Sequence, residues 1–408
     1  MPSLYAALWS RGSTGSSANA GRTVADSMHK LNKAMDKAVR RMGEAWVELP
    51  EVERQPRLKG VFVAPEYYFA NAEMGSWDNT AGNFRSRPIE QTAKEALMAD
   101  LVALSRRHPN YVIVPGSVAW RKPLDRPDSE KYKVDKDTGL RTGPEKTVAR
   151  RDKVAAVIGA TGANNKMGGG RYMSEPFQLA VLDAIAGLTK GTPPVPCPYD
   201  LVAYNQGFVS SGADPQQAFE AVIRAVKVSP FAEAICDWAG LPRTAVAVIP
   251  KKSEKVAAVT SGTATHLMRN TAFVLHGGKV VFKYNKRGDF HECIGDGSTV
   301  FMPGEGLGKT APILGVTFGL EICLDHAKGI LHTGVTDNTV PDVHIVMSDT
   351  VTNHTAHMKA SKYFLHASTA SPLTGVWAAP DWTPADRAEL AGTDSADGGA
   401  ISYWKLKI

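Results

Sequence analysis

Gly315 to Asp325 reads GVTFGLEICLD and completes an apolar run, Pro312 to Cys323, that has strand composition and ends on a thiol. Two other strand-like stretches end on charge. Gly60 to Phe69 (GVFVAPEYYF) is rich in valine and aromatics, as a strand buried on both faces would be, and carries Glu66; Lys279 to Tyr284 leads directly to Lys286. In α/β sheets, ligands bind beyond the carboxyl ends of the strands. A thiol, a carboxylate and an ammonium at such ends therefore outline one candidate site: Cys323, Glu66 and Lys286.

Outward from these stretches, strands and helices alternate. Leu4 to Ser10 has strand composition. A Gly/Ser-rich loop follows, and a helix is expected over Thr23 to Trp46, because Val24, Met28, Leu31, Met35, Val39, Met42 and Trp46 recur at steps of three and four. That stripe reads as core. A second helix is expected over Ile89 to Arg107 and a buried strand over Tyr111 to Val118. Asn270 to His276 and Lys279 to Tyr284 form a hairpin about Gly277-Gly278, and Val343 to Ser348 is a further strand. The alternation specifies an α/β sheet with covering helices.

The alternation lapses between about residues 121 and 266. This stretch carries the charge clusters of Lys122 to Lys136, glycines at Gly168 to Gly170 and a proline-rich segment at Thr192 to Pro198. One helix is signalled inside it, with Asp214 as N-cap, Pro215 in the first turn and an apolar face of Phe219, Val222, Ile223 and Val226. A structureless loop of that length is abnormal in a compact domain, so the stretch is expected to be an ordered insertion in a single domain spanning 1–408. The glycines of Gly159 to Gly170 lack the Lys-Ser/Thr ending of a phosphate loop and read as a mobile loop.

A cysteine thiol is a weak nucleophile until a base takes its proton or nearby positive charge lowers its pKa. Glu66 is suited to the first task and Lys286 to the second. Attack on an amide or nitrile carbon builds negative charge, which an ammonium and a backbone N–H stabilise. Those parts suffice for acyl transfer through a thioester.

The local sequences resemble the nitrilase, or carbon-nitrogen hydrolase, superfamily. Val63-Ala64-Pro65-Glu66 resembles its strand ending in Pro-Glu, Gly278 to Lys286 (GKVVFKYNK) its hairpin ending in Tyr-x-Lys, and Gly315 to Asp325 its nucleophile strand, with Ile-Cys followed one residue later by an acid. Arg269-Asn270-Thr271 and Phe301-Met302-Pro303-Gly304 match in their places, and the order Glu, Lys, Cys is the family's. The resemblance covers roughly Leu4 to Val118 and His266 to about Trp377. It implies a four-layer α-β-β-α sandwich with a long mid-chain insertion, the cysteine on a tight turn between strand and helix. Glu66 would be general base, Lys286 the stabiliser of the tetrahedral intermediate, Cys323 the acylated residue and the N–H of Leu324 a second oxyanion donor. It also implies a second, positioning glutamate, for which Glu292 is the candidate, and a homodimer or larger even assembly.

Other residues have open roles. Glu321 alternates with Cys323 and is expected on the same side, as a substrate contact or a partner for Lys or Arg. Tyr67 and Tyr68 line the pocket mouth or pack on the hairpin. Lys283 is the alternative to Lys286 if the hairpin register differs. His354, His357 and His366 have a spacing that would put two on one helix face, but no acid or cysteine accompanies them closely, so neither a metal nor an organic cofactor is expected.

The whole chain narrows the classes further. At 408 residues and 43% hydrophobic it can bury a large core. Its net charge of +6 comes from interleaved Lys, Arg and acids with no aromatic-studded stripe, which argues against nucleic acid. Its apolar runs fall short of the ~20 residues that cross a bilayer, and Met1 to Gly12 lacks the features of a secretory signal, so a cytoplasmic protein without membrane contact is expected. Cys197, Cys236, Cys293 and Cys323 form no CxxC pair and are expected as free thiols.

The expected activity is hydrolysis of a small carboxamide, nitrile or N-carbamoyl compound. Three alternatives stand beside it: N-acyl transfer by the same three residues, a papain-like site in which His326 or His354 activates the thiol, and a non-enzymatic scaffold on a nitrilase-like core.

Overall fold

The structure is a computed structural model. Its described residues are 2–11, 23–54, 57–70, 77–78, 83–84, 88–125, 130–147, 150–160, 170–173, 246–249, 252–289, 293, 298–349, 351–369, 371–385, 394–396 and 399–408. The Asp214 helix, Glu292, Cys197 and Cys236 lie outside them.

Two sheets pack face to face. The first contains β1 (Ser3–Arg11), β2 (Gly60–Val63), β3 (Tyr111–Val114), β4 (Ser117–Pro123), β5 (His266–His276), β6 (Lys279–Asn285) and, at the far end of the chain, Gly399–Lys407 beside β1. β1, β2 and β3 run parallel, while β5 runs antiparallel to β3, β4 and β6. The second sheet is β7 (Phe318–Ile322), β8 (Val343–Ser348), β9 (Tyr363–Ser368) and β10 (Gly375–Ala378), the first three parallel.

Between the sheets lies one apolar layer in which Leu4, Leu8, Val61, Val63 and Val112 meet Phe318, Leu320, Ile345, Met347 and Leu365. The outer face of the first sheet, with Tyr5, Trp9 and Phe62, is covered by α1 (Val24–Glu48) and α2 (Gln91–Arg107). β1 is thus buried on both faces, as its continuous apolar sequence requires. A capping box starts α1: Thr23 Oγ1 accepts from Asp26 N at 3.1 Å, and Asp26 Oδ2 accepts from Thr23 N at 3.0 Å. Met28, Leu31, Met35 and Met42 of the expected stripe are buried.

On the outer face of the second sheet the fourth layer is thin. It consists of one-turn helices at Leu324–Ala327 and Ile330–Gly334, short 3-10 turns and an apolar patch of Met358, Phe364, Val351, Trp377 and Trp382. Leu331 seats against Gly319 of β7, where a Cβ would come within 2.5 Å of its side chain.

Several local expectations are revised. Tyr111 to Val118 bends at Pro115-Gly116, where Gly116 has φ +85 and the strand takes one residue more than β5 opposite it. Pro312 to Cys323 is extended only over β7, because Leu314 and Gly315, both with positive φ, reverse the chain within reciprocal Ile313–Val316 hydrogen bonds. Ile89-Glu90 pairs with β4, and α2 starts after it. Gly159 lies in α3 (Arg150–Ala160) rather than in a loop.

The insertion leaves and rejoins at paired strand ends, since Pro123 of β4 stands opposite His266 of β5. α3 and α4 (Lys252–Thr260) bury Val154, Ile158 and Val259 with Leu124, Leu267, Val300 and Met302, which roots the described part of the insertion on the first sheet.

Candidate active site

Glu66, Lys286 and Cys323 converge beyond the ends of β2, β6 and β7. Lys286 Nζ donates to Glu66 Oε1 at 2.8 Å, with both side chains wholly buried. Asn270 of β5 donates its Nδ2 to the same oxygen at 2.9 Å, and its backbone carbonyl accepts from Lys286 N at 2.8 Å. Glu66 Oε2 accepts from Asp349 N at 3.1 Å, just past β8. The half-buried Cys323 thiol hydrogen-bonds to the Glu66 carboxylate.

Burial raises the pKa of Glu66, and Lys286 partly offsets the rise. Burial also raises the Cys323 thiol well above its ordinary value, and the adjacent Glu66 charge adds to that while Lys286 opposes it. The resting pair is therefore thiol and carboxylate, so the thiol proton moves to Glu66 as the sulfur attacks.

Cys323 occupies a sharp turn, with φ 48 and ψ −105, between β7 and the one-turn helix α5 (Leu324–Ala327). This is sparsely populated backbone for a residue with a Cβ and a local reservoir of strain. The turn also breaks side-chain alternation. Leu320 and Ile322 face the inter-sheet layer, Glu321 faces outward, and the reversed φ brings Cys323 back toward the inner layer. Glu321 and Cys323 thus lie on opposite sides, contrary to the period-two expectation.

Glu321 is buried among histidines. Its Oε2 lies 3.1 Å from His326 Nδ1 and 2.9 Å from His344 Nε2, while Oε1 accepts from Leu331 N at 2.6 Å. Burial would raise this carboxyl, but the bonds to His326 and His344 outweigh it and pull the pKa down to about 2. The three side chains hold their ligand atoms within 4.8 Å of one another, a grouping a cation could share. However, His344 Nδ1 accepts from Lys359 N at 3.2 Å, so the neutral ring carries its proton on Nε2 and aims it at Glu321. A metal on Nε2 would require the proton on Nδ1, facing a donor. The geometry suits a hydrogen-bonded carboxylate better than a metal centre. His354 and His357 flank a 3-10 turn and His366 lies in β9, so no helix face joins them.

Asp325, which ends the opening motif, bridges the nucleophile turn to the lysine loop. It accepts from Tyr284 Oη at 2.7 Å, Arg287 N at 2.9 Å and Gly288 N at 2.6 Å. Burial raises its pKa to about 6 against these bonds. One residue further along that loop, Asp289 accepts from Lys255 of α4 at 2.5 Å, which ties the insertion to the site.

Among the remaining candidates, Tyr67 has φ 52, donates its N–H to Ser117 Oγ at 3.0 Å and places its ring 5.5 Å from Lys286 Nζ. Tyr68 packs on Trp9 in the helix-facing core. Lys283 is exposed on β6, so the hairpin register presents Lys286 to the site. Leu324 directly follows the nucleophile turn. Asn270, Asp325 and Asp349 join the site without having been singled out as site residues, although Asn270 and Asp325 stand in the motifs quoted at the start. The charges acting on the thiol come from Glu66, Lys286 and Asp349, and none comes from a histidine.

No family model matches the chain, and no curated protein does. Solved structures align over most of its length. They include an amidase from Nesterenkonia sp. AN1 in complex with butyramide (10% identity, 99% of this chain and 91% of that one, TM-score 0.40). A carbon-nitrogen hydrolase from Helicobacter pylori G27 is similar at 8% identity over 99% and 89% of the two chains, with a TM-score of 0.42. At these values the alignments carry no weight beside the geometry of the site itself.

Proposed function

We propose that the protein is a cysteine-dependent hydrolase of the nitrilase type, cleaving a non-peptide C–N bond in a small amide, nitrile or N-carbamoyl compound. The observation that carries this reading is the buried Lys286–Glu66 pair at 2.8 Å with the Cys323 thiol hydrogen-bonded to the same carboxylate. Neither charge has a structural need to be there, since an apolar pair of similar volume is often as stable.

For an amide, Sγ bonds to the carbonyl carbon while the thiol proton passes to Glu66. Lys286 and the N–H of Leu324 stabilise the oxyanion. Collapse breaks the C–N bond, and Glu66 returns the proton to the departing nitrogen. Water then adds to the thioester, giving its proton to Glu66, and the carboxylic acid leaves as the thiol is restored. Asn270 and the Asp349 N–H hold Glu66 for both proton transfers, and Tyr67 faces the ammonium. Glu292 is carried as a positioning glutamate on resemblance alone. Acyl transfer to an amine uses the same steps with a different acceptor, and the histidine-activated alternative is disfavoured because His326 Nδ1 is committed to Glu321.

The test is mass spectrometry after incubation with a panel of amides and nitriles, comparing wild type with Cys323→Ala. An acyl adduct on Cys323 is expected. Adducts confined to Cys197, Cys236 or Cys293 would refute the assignment.

A further inference from the structure

The turn that carries the nucleophile has little to hold it. Helix α5 is a single turn of four residues, and one turn does not sustain itself because nucleation is unfavourable. Tertiary bonds must therefore fix the positions of Cys323 and Leu324. On one flank Asp325 supplies them; on the other they come from the buried Glu321 group.

We propose that Glu321, acting through His326 and Leu331, is the positioning residue that aims the Cys323–Leu324 turn at the reacting carbon. This rests on the hydrolase reading above. Glu321 is anchored in β7, two residues before the nucleophile. Its Oε2 holds the ring of His326, three residues after the nucleophile, and its Oε1 holds the backbone N–H of Leu331 in the next one-turn helix (Ile330–Gly334), so one carboxylate spans the turn from both sides. His344 Nε2 at 2.9 Å supports the carboxylate from β8, and Lys359 N–H fixes the ring orientation of His344. His357 Nδ1 lies 2.8 Å from the His326 carbonyl, tying the same helix to the segment that follows β8. All of these groups lie on the outer face of the second sheet, and none of them reaches the thiol, so Glu321 is not itself catalytic.

A clamp of this kind has a distinctive kinetic signature. Acyl transfer demands alignment of sulfur, carbon and oxyanion donors, and a displacement of about 1 Å costs about 100-fold. Alkylation of the thiol by iodoacetamide needs no oxyanion donor and tolerates that displacement. For Glu321→Gln, which keeps size but loses the charge, kcat is expected to fall about 100-fold with KM little changed. The iodoacetamide rate at Cys323 should stay close to wild type. A wild-type kcat would overturn the proposal, as would losses of kcat and alkylation that both track the fraction of unfolded protein.

If Glu321→Gln does not fold, a pair at the partner position decides. His326→Asn keeps an N–H for Oε2 and should retain most of kcat, whereas His326→Leu should show the fall; equal activity in the pair refutes the clamp. If wild type forms no acyl-Cys323 with any amide or nitrile, the hydrolase reading falls first. A wild type that acylates beside an unaffected Glu321→Gln removes the clamp alone.

Discussion

Substituting Glu66 by Gln tests the chemistry and the energetics of the site together. The amide oxygen can take the place of Oε1 and keep accepting from Lys286 Nζ and Asn270 Nδ2, but the NH2 then faces the N–H of Asp349 and the thiol, neither of which it can satisfy as a donor. The general base is lost, worth about 10²–10⁴ in kcat/KM. The buried ammonium also loses its counter-charge, and breaking a buried pair by removing one partner costs roughly 3–5 kcal/mol. Lys286→Met should destabilise less, because Glu66, already pushed up by burial, can take a proton and become neutral. In the double variant no unpaired charge is left, so its stability should exceed that of Glu66→Gln and the cycle should show a coupling of about 3 kcal/mol. Equilibrium or kinetic unfolding in denaturant, read beside amide hydrolysis, gives both quantities. Full activity in a folded Glu66→Gln, or strictly additive stability losses, would refute the reasoning.

Three further outcomes follow from the geometry. Cys323→Gly should be inactive yet more stable than Cys323→Ala by about 1 kcal/mol, since glycine relieves the strained φ of 48; equal thermal midpoints would argue against strain. Asp325→Asn exchanges one acceptor for a donor opposite Arg287 N or Gly288 N, so kcat should fall with KM little changed and amide exchange at Arg287 and Gly288 should quicken; unchanged exchange would sink the bridging role. Burial holds His326 down to about 4, below its unfolded value near 6.5, so the unfolded chain binds the extra proton first and stability falls as pH drops through that window. Between pH 7 and 4.5 that loss is about 2–3 kcal/mol, and His326→Asn should gain that much relative to wild type over the same range in parallel unfolding curves. A constant difference between the two proteins would contradict it.

How far the sequence carries can be judged residue by residue. The capping box at Thr23 and the Met stripe of α1 were legible because helix signals are local and periodic. So was the reversal at Gly277-Gly278, where both residues have positive φ. Glu66, Lys286 and Cys323 were legible as strand-end polar residues, and the hairpin register that favours Lys286 over exposed Lys283 agrees with that reading. Glu321 was misplaced because alternation assumes extended backbone, and Cys323 does not have it. The long strand expected before Cys323 failed for a related reason, since Leu314 carries a positive φ that its residue type does not announce.

Amino-acid order by itself determined which segments become strands, which become helices, and that a thiol, a carboxylate and an ammonium would stand at strand ends, because hydrophobic period and turn chemistry act over a few residues. Tertiary structure alone decided that Asn270 and the Asp349 N–H hold Glu66, that Asp325 joins the turn to the lysine loop, and that Glu321 meets His326 and His344 on the far face. Those contacts depend on the register and packing of the two sheets, and most of them join residues far apart in the chain. Local periodicity carries no record of such pairings.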